Sequence, residues 1–434
     1  MRILPDGRAT ATAKDEFWGP LDGSEATNTW DALRARLEPS SALRDQARAE
    51  LFAGEIGLCR FPPLNPLAPY LMQEPILTGL REAGDAFFAA SLLAMHDRRG
   101  DAALAELRAG LCVVGLLRPL PVPVAHAYER SLTDRGLRHV WEGLQSGLWT
   151  ECQLADLQRS LEGASLLPGL ARTFESARAL QLYWFYGPKQ VGFRSLETVF
   201  VDTGGIEGLW PSLVRSDKQP LGWLEVFESM SGATARLRGM MFLGWWKAAW
   251  TPHDEAFLQR ACQSVIDACE RAEAQGCWGA SGLNPKMADF RSNVTYRVLG
   301  RRETSYDRER FWPTLSTLSS LAGEFQRTLE VEAFRRLAVV AVALERYRVS
   351  HEKEGYPEGL NGLVPALLGK LPPDFFDGKP VRYRRLGKND YLLYCVGSDG
   401  ADDAGGGPTM TQPLLRGFYD GKDLVWPRQA KPSP

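Results

Sequence analysis

Leu337-Ala338-Val339-Val340-Ala341-Val342-Ala343-Leu344, then Glu345-Arg346-Tyr347, then Gly355-Tyr356-Pro357, is the stretch that decides the fold. Phe334, Leu337, Ala338, Ala341, Leu344 and Tyr347 recur at three- and four-residue spacing and form one apolar helical stripe. Val339, Val340 and Val342 make the neighbouring faces apolar as well. A helix apolar nearly all round is covered on more than one side. The pattern predicts a helix from about Phe325 to about Glu352, roughly 40 Å long at about 1.5 Å per residue. Gly355-Tyr356-Pro357 stops it, because proline cannot continue the hydrogen-bond ladder and restricts the residue before it.

Downstream, Leu360, Leu363, Leu367 and Leu368 suggest a short second helix, and Asp377-Gly378 is a turn signal. Val381–Arg385 and Tyr391–Val396 read as paired strands joined across Leu386–Asp390. Asp423–Trp426 supplies a third. Three short strands are marginal alone and need the long helix as a packing surface.

Upstream the pattern is dominantly helical from about Thr27 to Ser320. Helices are expected at Leu43–Phe52, Pro75–His96, Ala102–Leu117, Ala125–Leu144, Trp149–Leu161, Pro168–Tyr186, Gly222–Ala249, His253–Ala274 and Tyr306–Leu321. Asp101 reads as an N-cap after the breaker Gly100, and Thr150 with Gln153 as a capping box. Gly187–Gly208 reads as an irregular crossing. No fixed repeat period is present, which excludes a tetratricopeptide or HEAT array. The fold class expected is therefore mostly α: a multi-helix body followed by a small α+β head. The expected division is a lead-in over 1–26, a helical body over 27–322, the head over 325–427 and a tail over 428–434.

The order of these elements resembles the globular head of the major pseudopilins of type II secretion systems. Those heads have a long helix ending near a G-x-Y-P turn, an L-P-x-D segment, a Y-x-L-x-S-x-G-x-D-G-like hairpin and a D-I-x-x-W-like terminus. Here the matching residues are Gly355-Tyr356-Pro357, Leu371-Pro372-Pro373-Asp374, Tyr391 to Gly400 and Asp423-Leu424-Val425-Trp426. The match covers roughly residues 325–427. It implies a calcium ion in the loop between the last strands, with Asp399, Asp402 or Asp403, and Asp423 in the matching stretch. Carboxylates and glycine-flanked carbonyls suit calcium, which takes six to eight oxygen ligands. The spacing does not fit an EF-hand, and Ala404–Lys422 is inserted relative to the family pattern. A solvated acidic hairpin is the alternative. The resemblance also implies an envelope location with other assembly proteins as partners. Pseudopilins normally begin with a membrane-spanning helix, and Met1–Arg8 shows no such segment, so the expectation is a periplasmic or envelope chain if an anchor has been trimmed, and otherwise a cytoplasmic one with the head carried on a soluble body.

Composition narrows the remaining classes. A net charge of −2 gives no reason to expect nucleic acid or an anionic membrane as partner. No apolar stretch reaches the roughly 20 residues needed to span a bilayer, and the N-terminus lacks the apolar core of a secretory signal. The seven cysteines are scattered without a C-x-x-C, which argues against a zinc knuckle or a disulfide scaffold. Cys262 and Cys269 share a helix face but stand about 10 Å apart, too far to bond.

Signals of catalysis are few. H-E-x-x-H, G-x-S-x-G and the phosphate-binding P-loop are all missing from the sequence. His253-Asp254-Glu255 after Thr251-Pro252 reads as a helix start. His96 and His126 are lone histidines. Asp202-Thr203-Gly204-Gly205 has no second copy of the kind an aspartic protease needs. Trp245, Trp246 and Trp250 with Met240, Met241 and Phe242 read as core rather than as a sugar platform. The leading expectation is a non-enzymatic assembly or recognition component of a secretion- or pilus-related machine. The alternatives are a glycan-acting enzyme with Glu225 and Asp254 facing one cleft, or a soluble scaffold subunit.

Overall fold

A computed structural model describes residues 30–54, 69–120, 122–182, 246, 248–406 and 422–426. The chain is mostly α-helical, with a small three-stranded antiparallel sheet near its C-terminus, so the expected fold class is the observed one. The helices used below are α1 (Trp30–Leu37), α2 (Ser41–Ala53), α3 (Pro69–His96), α4 (Gly100–Leu117), α5 (Pro123–Ser146), α6 (Glu151–Glu162), α7 (Leu167–Gln181), α8 (Thr251–Gln275), α9 (Met287–Leu299), α10 (Ser305–Arg310) and α11 (Trp312–Ser350). The strands are β1 (Arg382–Gly387), β2 (Asp390–Cys395) and β3 (Leu424–Val425).

Two compact units divide the chain, and neither is continuous in sequence. The first comprises Met1–Ala171, Ala268–Lys286 and Phe325–Pro434; the second comprises Arg172–Asp267 and Met287–Glu324. The segment expected as a head thus belongs to the same unit as the N-terminal helices.

In the first unit α3, α4 and α5 pack on one another, α1 lies on α3, and α2 and α6 lie on α4. Phe88 keys the three-helix contact. A Cβ on Gly110 would come within 2.5 Å of its ring, and one on Gly136 within 3.1 Å. Only glycine lets the helices approach this closely around a phenylalanine. The whole run Leu337–Leu344 of α11 is buried, as its all-round apolar character requires. The second unit is built on aromatic contacts. Phe257 stacks on Phe311 at 4.4 Å, Phe174 tilts against Phe290 at 5.8 Å, and Trp246 Nε1 donates to Arg310 O at 3.0 Å. Trp246 and Trp250 are core residues; Trp245, Met240, Met241 and Phe242 lie outside the described residues, as do Gly187–Gly208, Glu225 and Cys59.

Several local expectations need correction. The long helix begins at Trp312, not near Phe325, and absorbs most of the separate helix expected over Tyr306–Leu321. A lone Gly323 costs about 1 kcal/mol but does not break a helix whose neighbours are helix formers. Asp101 is not an N-cap. Helix α4 starts at Gly100, its N-cap is Arg99 without a side-chain cap, and Asp101 instead accepts the Gln153 side-chain amide at 2.5 Å. The capping box of Thr150 and Gln153 is present. The leucines after Gly355-Tyr356-Pro357 form only a single 3-10 turn, Leu360–Leu363. Helix α9 has no counterpart among the expected elements.

Candidate functional site: the acidic loop and its frame

The strand order is β1-β2-β3, with both pairings antiparallel. Alternation of buried Leu393 and Cys395 with Leu392 and Tyr394 gives the central strand two covered faces. The hairpin closes at Gly387↔Asp390 with a bulge after Arg385. Beyond β2 the chain turns into residues 397–406 and returns at Asp423, immediately before β3.

Gly355-Tyr356-Pro357 does more than stop α11. Gly355 has φ +77°, and a Cβ there would sit 2.1 Å from Lys388 O, so no side chain fits. Tyr356 N–H donates to Lys388 O at 3.1 Å, and its hydroxyl donates to Glu345 Oε2 at 2.9 Å. Glu345 is buried and also accepts from Nε and Nη2 of Arg348. The turn therefore ties the end of the helix to the hairpin tip.

Asp374, from the Leu-Pro-Pro-Asp segment, is the second tie. It is fully buried, accepting the Phe376 amide at 2.9 Å and the Val396 amide at 2.8 Å, and it pairs with Arg382. Burial pushes its carboxyl up to about 6, against the opposing pull of the Val396 and Phe376 amides and Arg382. Arg382 also donates to Asp377 Oδ2 at 2.6 Å and approaches Asp402 Oδ2 at 3.4 Å. One strand arginine thus gathers three aspartates from two loops. An arginine on a short strand normally reads as a solvated face, so its place in the strand does not reveal this role. The only available signal was the Asp-x-x-Asp-Gly of residues 374–378 just upstream of it.

Four acidic residues were expected to form a metal site. Asp399 is exposed, and its Oδ1 accepts the Ala401 amide at 2.9 Å in a local turn. Asp402 accepts the Ala404 amide at 3.0 Å and the Tyr394 hydroxyl at 3.1 Å. Asp403 O accepts the Gly406 amide at 3.1 Å. Asp423 is fully buried, and its Oδ2 accepts the Gly405 amide at 2.8 Å. Its Oδ1 has no hydrogen bond of good geometry, although the Asp403 amide lies near enough to favour ionisation. Burial raises the Asp423 carboxyl above its ordinary value, and the charges of Asp402 and Asp403 raise it further. The structure thus brings Asp402, Asp403 and Asp423 into one electrostatic group, despite the long stretch of chain between Asp403 and Asp423. Asp399 remains in its own turn. Among the described residues no three His, Cys, Asp or Glu side chains are placed to hold a metal ion as they stand. Asp402 is engaged by Arg382, which would have to yield to a cation.

The other sequence candidates have structural roles. His126 is buried, 3.2 Å from Glu129 and 3.1 Å from Thr328 Oγ1, and Arg118 closes the cluster on Glu129 at 3.0 Å. A Cβ on Gly169 would lie 2.6 Å from both His126 and Glu129, so the cluster has no room for a substrate. His96 stacks on Trp30 at 4.1 Å. Asp254 is buried near the start of α8. Cys262 and Cys269 are buried free thiols, and desolvation pushes Cys262 up to about 12, leaving it inert at neutral pH. Among the described residues no helix is long and apolar enough to cross a membrane.

Compared with protein-family models, curated proteins and solved structures, the chain matches none of them.

Proposed function

We propose that this chain is a non-enzymatic assembly or recognition component of a secretion- or pilus-related machine in the cell envelope, and that it works through its C-terminal α+β segment. The observation that carries the reading is the ordered series of α11, the Gly-Tyr-Pro turn, the hairpin, the acidic loop and β3, with Asp423 buried beneath that loop. The series follows the order of elements in major pseudopilin heads. The sealed His126 cluster and the inert thiols leave these groups without a catalytic role. A photo-cross-linking residue at exposed Asp399, introduced in the native host, tests this. Recovery of envelope assembly proteins supports the reading; recovery of cytosolic proteins alone overturns it.

Calcium belongs to the same proposal. Asp402, Asp403 and Asp423 repel one another, and a cation between them would relieve that repulsion and replace Arg382 at Asp402. Only the folded chain offers this group, so binding would raise the melting temperature, by the equivalent of about 2.7 kcal/mol at a hundredfold excess over Kd. Magnesium would do less, because it demands a tight octahedral shell. Calorimetry of the wild type and Asp403→Asn in millimolar calcium is the test. A shift absent from the wild type, or equal in the variant, removes calcium from the proposal.

A further inference from the structure

We infer that the open edge of β1 is a docking strand for an extended, acidic segment of a partner protein, which adds to the sheet as a fourth strand. The inference rests on the edge alone and holds whether or not the acidic loop takes calcium. Strand β1 stands at the end of the order β1-β2-β3. The direction of its main-chain groups follows from the ladder. Leu393 C=O accepts the Trp426 N–H at 2.9 Å, so Leu393 turns its main-chain groups toward β3. Its cross-strand partner is Tyr383. In an antiparallel pair of this kind the two residues face away from each other. Tyr383 therefore presents its N–H and C=O to the open edge, and Arg385, two residues on, does the same. Among the described residues, β2 is the only backbone partner of residues 382–386.

Charge selects the occupant. Lys379-Pro380-Val381-Arg382-Tyr383-Arg384-Arg385-Leu386-Gly387-Lys388 carries five cations and no anion. Arg382 is neutralised by Asp374 and Asp377, and Arg385 pairs with Glu358. Arg384 and Lys388 are exposed, and no ion pair among the described residues engages either. A shallow groove lined by Arg382, Arg384, Leu392, Tyr394 and Ala404 accompanies the strand. Leu392 and Tyr394 are buried at its floor and Arg382 is already neutralised, which leaves Arg384 as the exposed cation along it. An extended segment with acidic side chains matches the exposed Arg384 and Lys388, with main-chain hydrogen bonds supplying affinity and side chains supplying specificity. A second copy of β1 is a poor occupant, because pairing edge to edge would set arginines against arginines.

The test uses the full chain and a short fluorescein-labelled peptide alternating Glu and Val, titrated by anisotropy at low salt. Amide hydrogen exchange is followed in parallel. The expected result is saturable binding that weakens with salt and slows exchange at the Tyr383 and Arg385 amides. Arg384→Glu, an exposed change, should weaken binding about tenfold, the sum of a lost attraction and a new repulsion at a solvated site. Arg385→Pro removes an outward N–H while sparing the ladder to β2, and should weaken binding as well. The inference is overturned if the acidic peptide does not bind, or binds without protecting those two amides. Equal binding of a peptide with Lys in place of Glu overturns it too. So does prior protection of the two amides by self-association of the chain.

Discussion

Replacing Glu332 with glutamine removes a buried charge that organises three helix ends in the first unit. Glu332 has no exposed surface. Its Oε2 accepts Arg335 Nε at 2.9 Å and the Leu166 amide at 3.2 Å, and its Oε1 accepts Arg335 Nη2 at 2.6 Å and Arg336 Nε at 2.9 Å. Held in this way, Arg335 donates to Leu161 O at 2.7 Å, and Arg336 donates to Gly276 O while its guanidinium lies 4.7 Å over the Phe375 ring. Burial is the largest influence on the Glu332 carboxyl and pushes it up. Arg335 and Arg336 more than reverse this, and the carboxyl drops from 4.5 to about 2. At about 1.4 kcal/mol per pKa unit, the depression corresponds to about 3 kcal/mol of stability. Breaking one partner out of a buried ion pair independently suggests about 3–5 kcal/mol, because two arginines are left uncompensated. The folded pKa is the lower one, so this stability is present above about 4.5 and is lost as pH falls toward about 2. Urea denaturation of wild type and Glu332→Gln at pH 7 should therefore differ by about 3 kcal/mol, and the difference should shrink steadily below pH 4.5. A difference under about 1 kcal/mol at pH 7, or one that stays constant to pH 3, would refute the reasoning.

Val340→Asp places a carboxylate where the side chain has no exposed surface, and should cost about 3–5 kcal/mol in a denaturation experiment; an unchanged midpoint would mean that face is solvated. Gly355→Ala combines positive φ with a clash against Lys388 O and should cost more than about 2 kcal/mol, whereas a neutral result would show that the turn relaxes freely. Asp374→Asn leaves one acceptor for two amides and should cost about 1–3 kcal/mol at pH 4. Because burial raises Asp374 from 3.8 to about 6, the wild type alone loses stability as pH climbs through that window, so its advantage over the variant should narrow by pH 7. An equal gap at both pH values, measured by urea denaturation, would show that Asp374 is ionised throughout.

What could be read ahead depended on whether a signal was local. The run Leu337–Leu344 announces a helix covered on all sides because every face carries the same message. The hairpin could be read because Tyr391–Val396 is a β-rich run and the turn residues between the strands are polar. The features misread or missed depend on contacts that the local pattern does not carry. Asp101 looks like an N-cap until Gln153, contributed by another helix, takes its carboxylate. Arg382 shows no role in the sequence, and acquires one where the Pro373–Pro380 bridge brings Asp374 back to it. The candidate site was half legible. Asp402 and Asp403 stand out as a carboxylate pair beside glycines, and Asp423 as the acid just before the last strand, but whether Asp399 faced them depended on its own Asx-type turn onto Ala401.

The C-terminal segment is built as part of its unit and not as an appendage. Three short strands cannot stabilise themselves, and β3 contributes only Leu424 and Val425. They are tied to α11 through Tyr356, whose hydroxyl donates to Glu345 and whose ring meets Tyr391 edge-on at 4.7 Å, just beyond the buried apolar run. The charged residues around that run show how the helix is tied to its neighbours. On one side Arg346 donates to Glu151 Oε1 at 2.6 Å and to Gln158 Oε1 at 3.0 Å, both on α6, and to Leu367 O at 3.3 Å. Gln158 reaches the same Leu367 O at 2.9 Å. On the next turn Glu345 and Arg348 hold Tyr356, and through it the hairpin tip. At the other end Arg336 joins Gly276 O to the Phe375 ring. The first and last of these tethers pair an earlier element, α6 or the residue that follows α8, with a C-terminal one, and the middle one ties the hairpin tip to α11 itself. A segment fixed at so many points holds its edge strand in place, and a fixed edge lowers the entropic cost of docking an extended partner. The frame that stabilises the sheet is therefore also what would make β1 an effective docking strand.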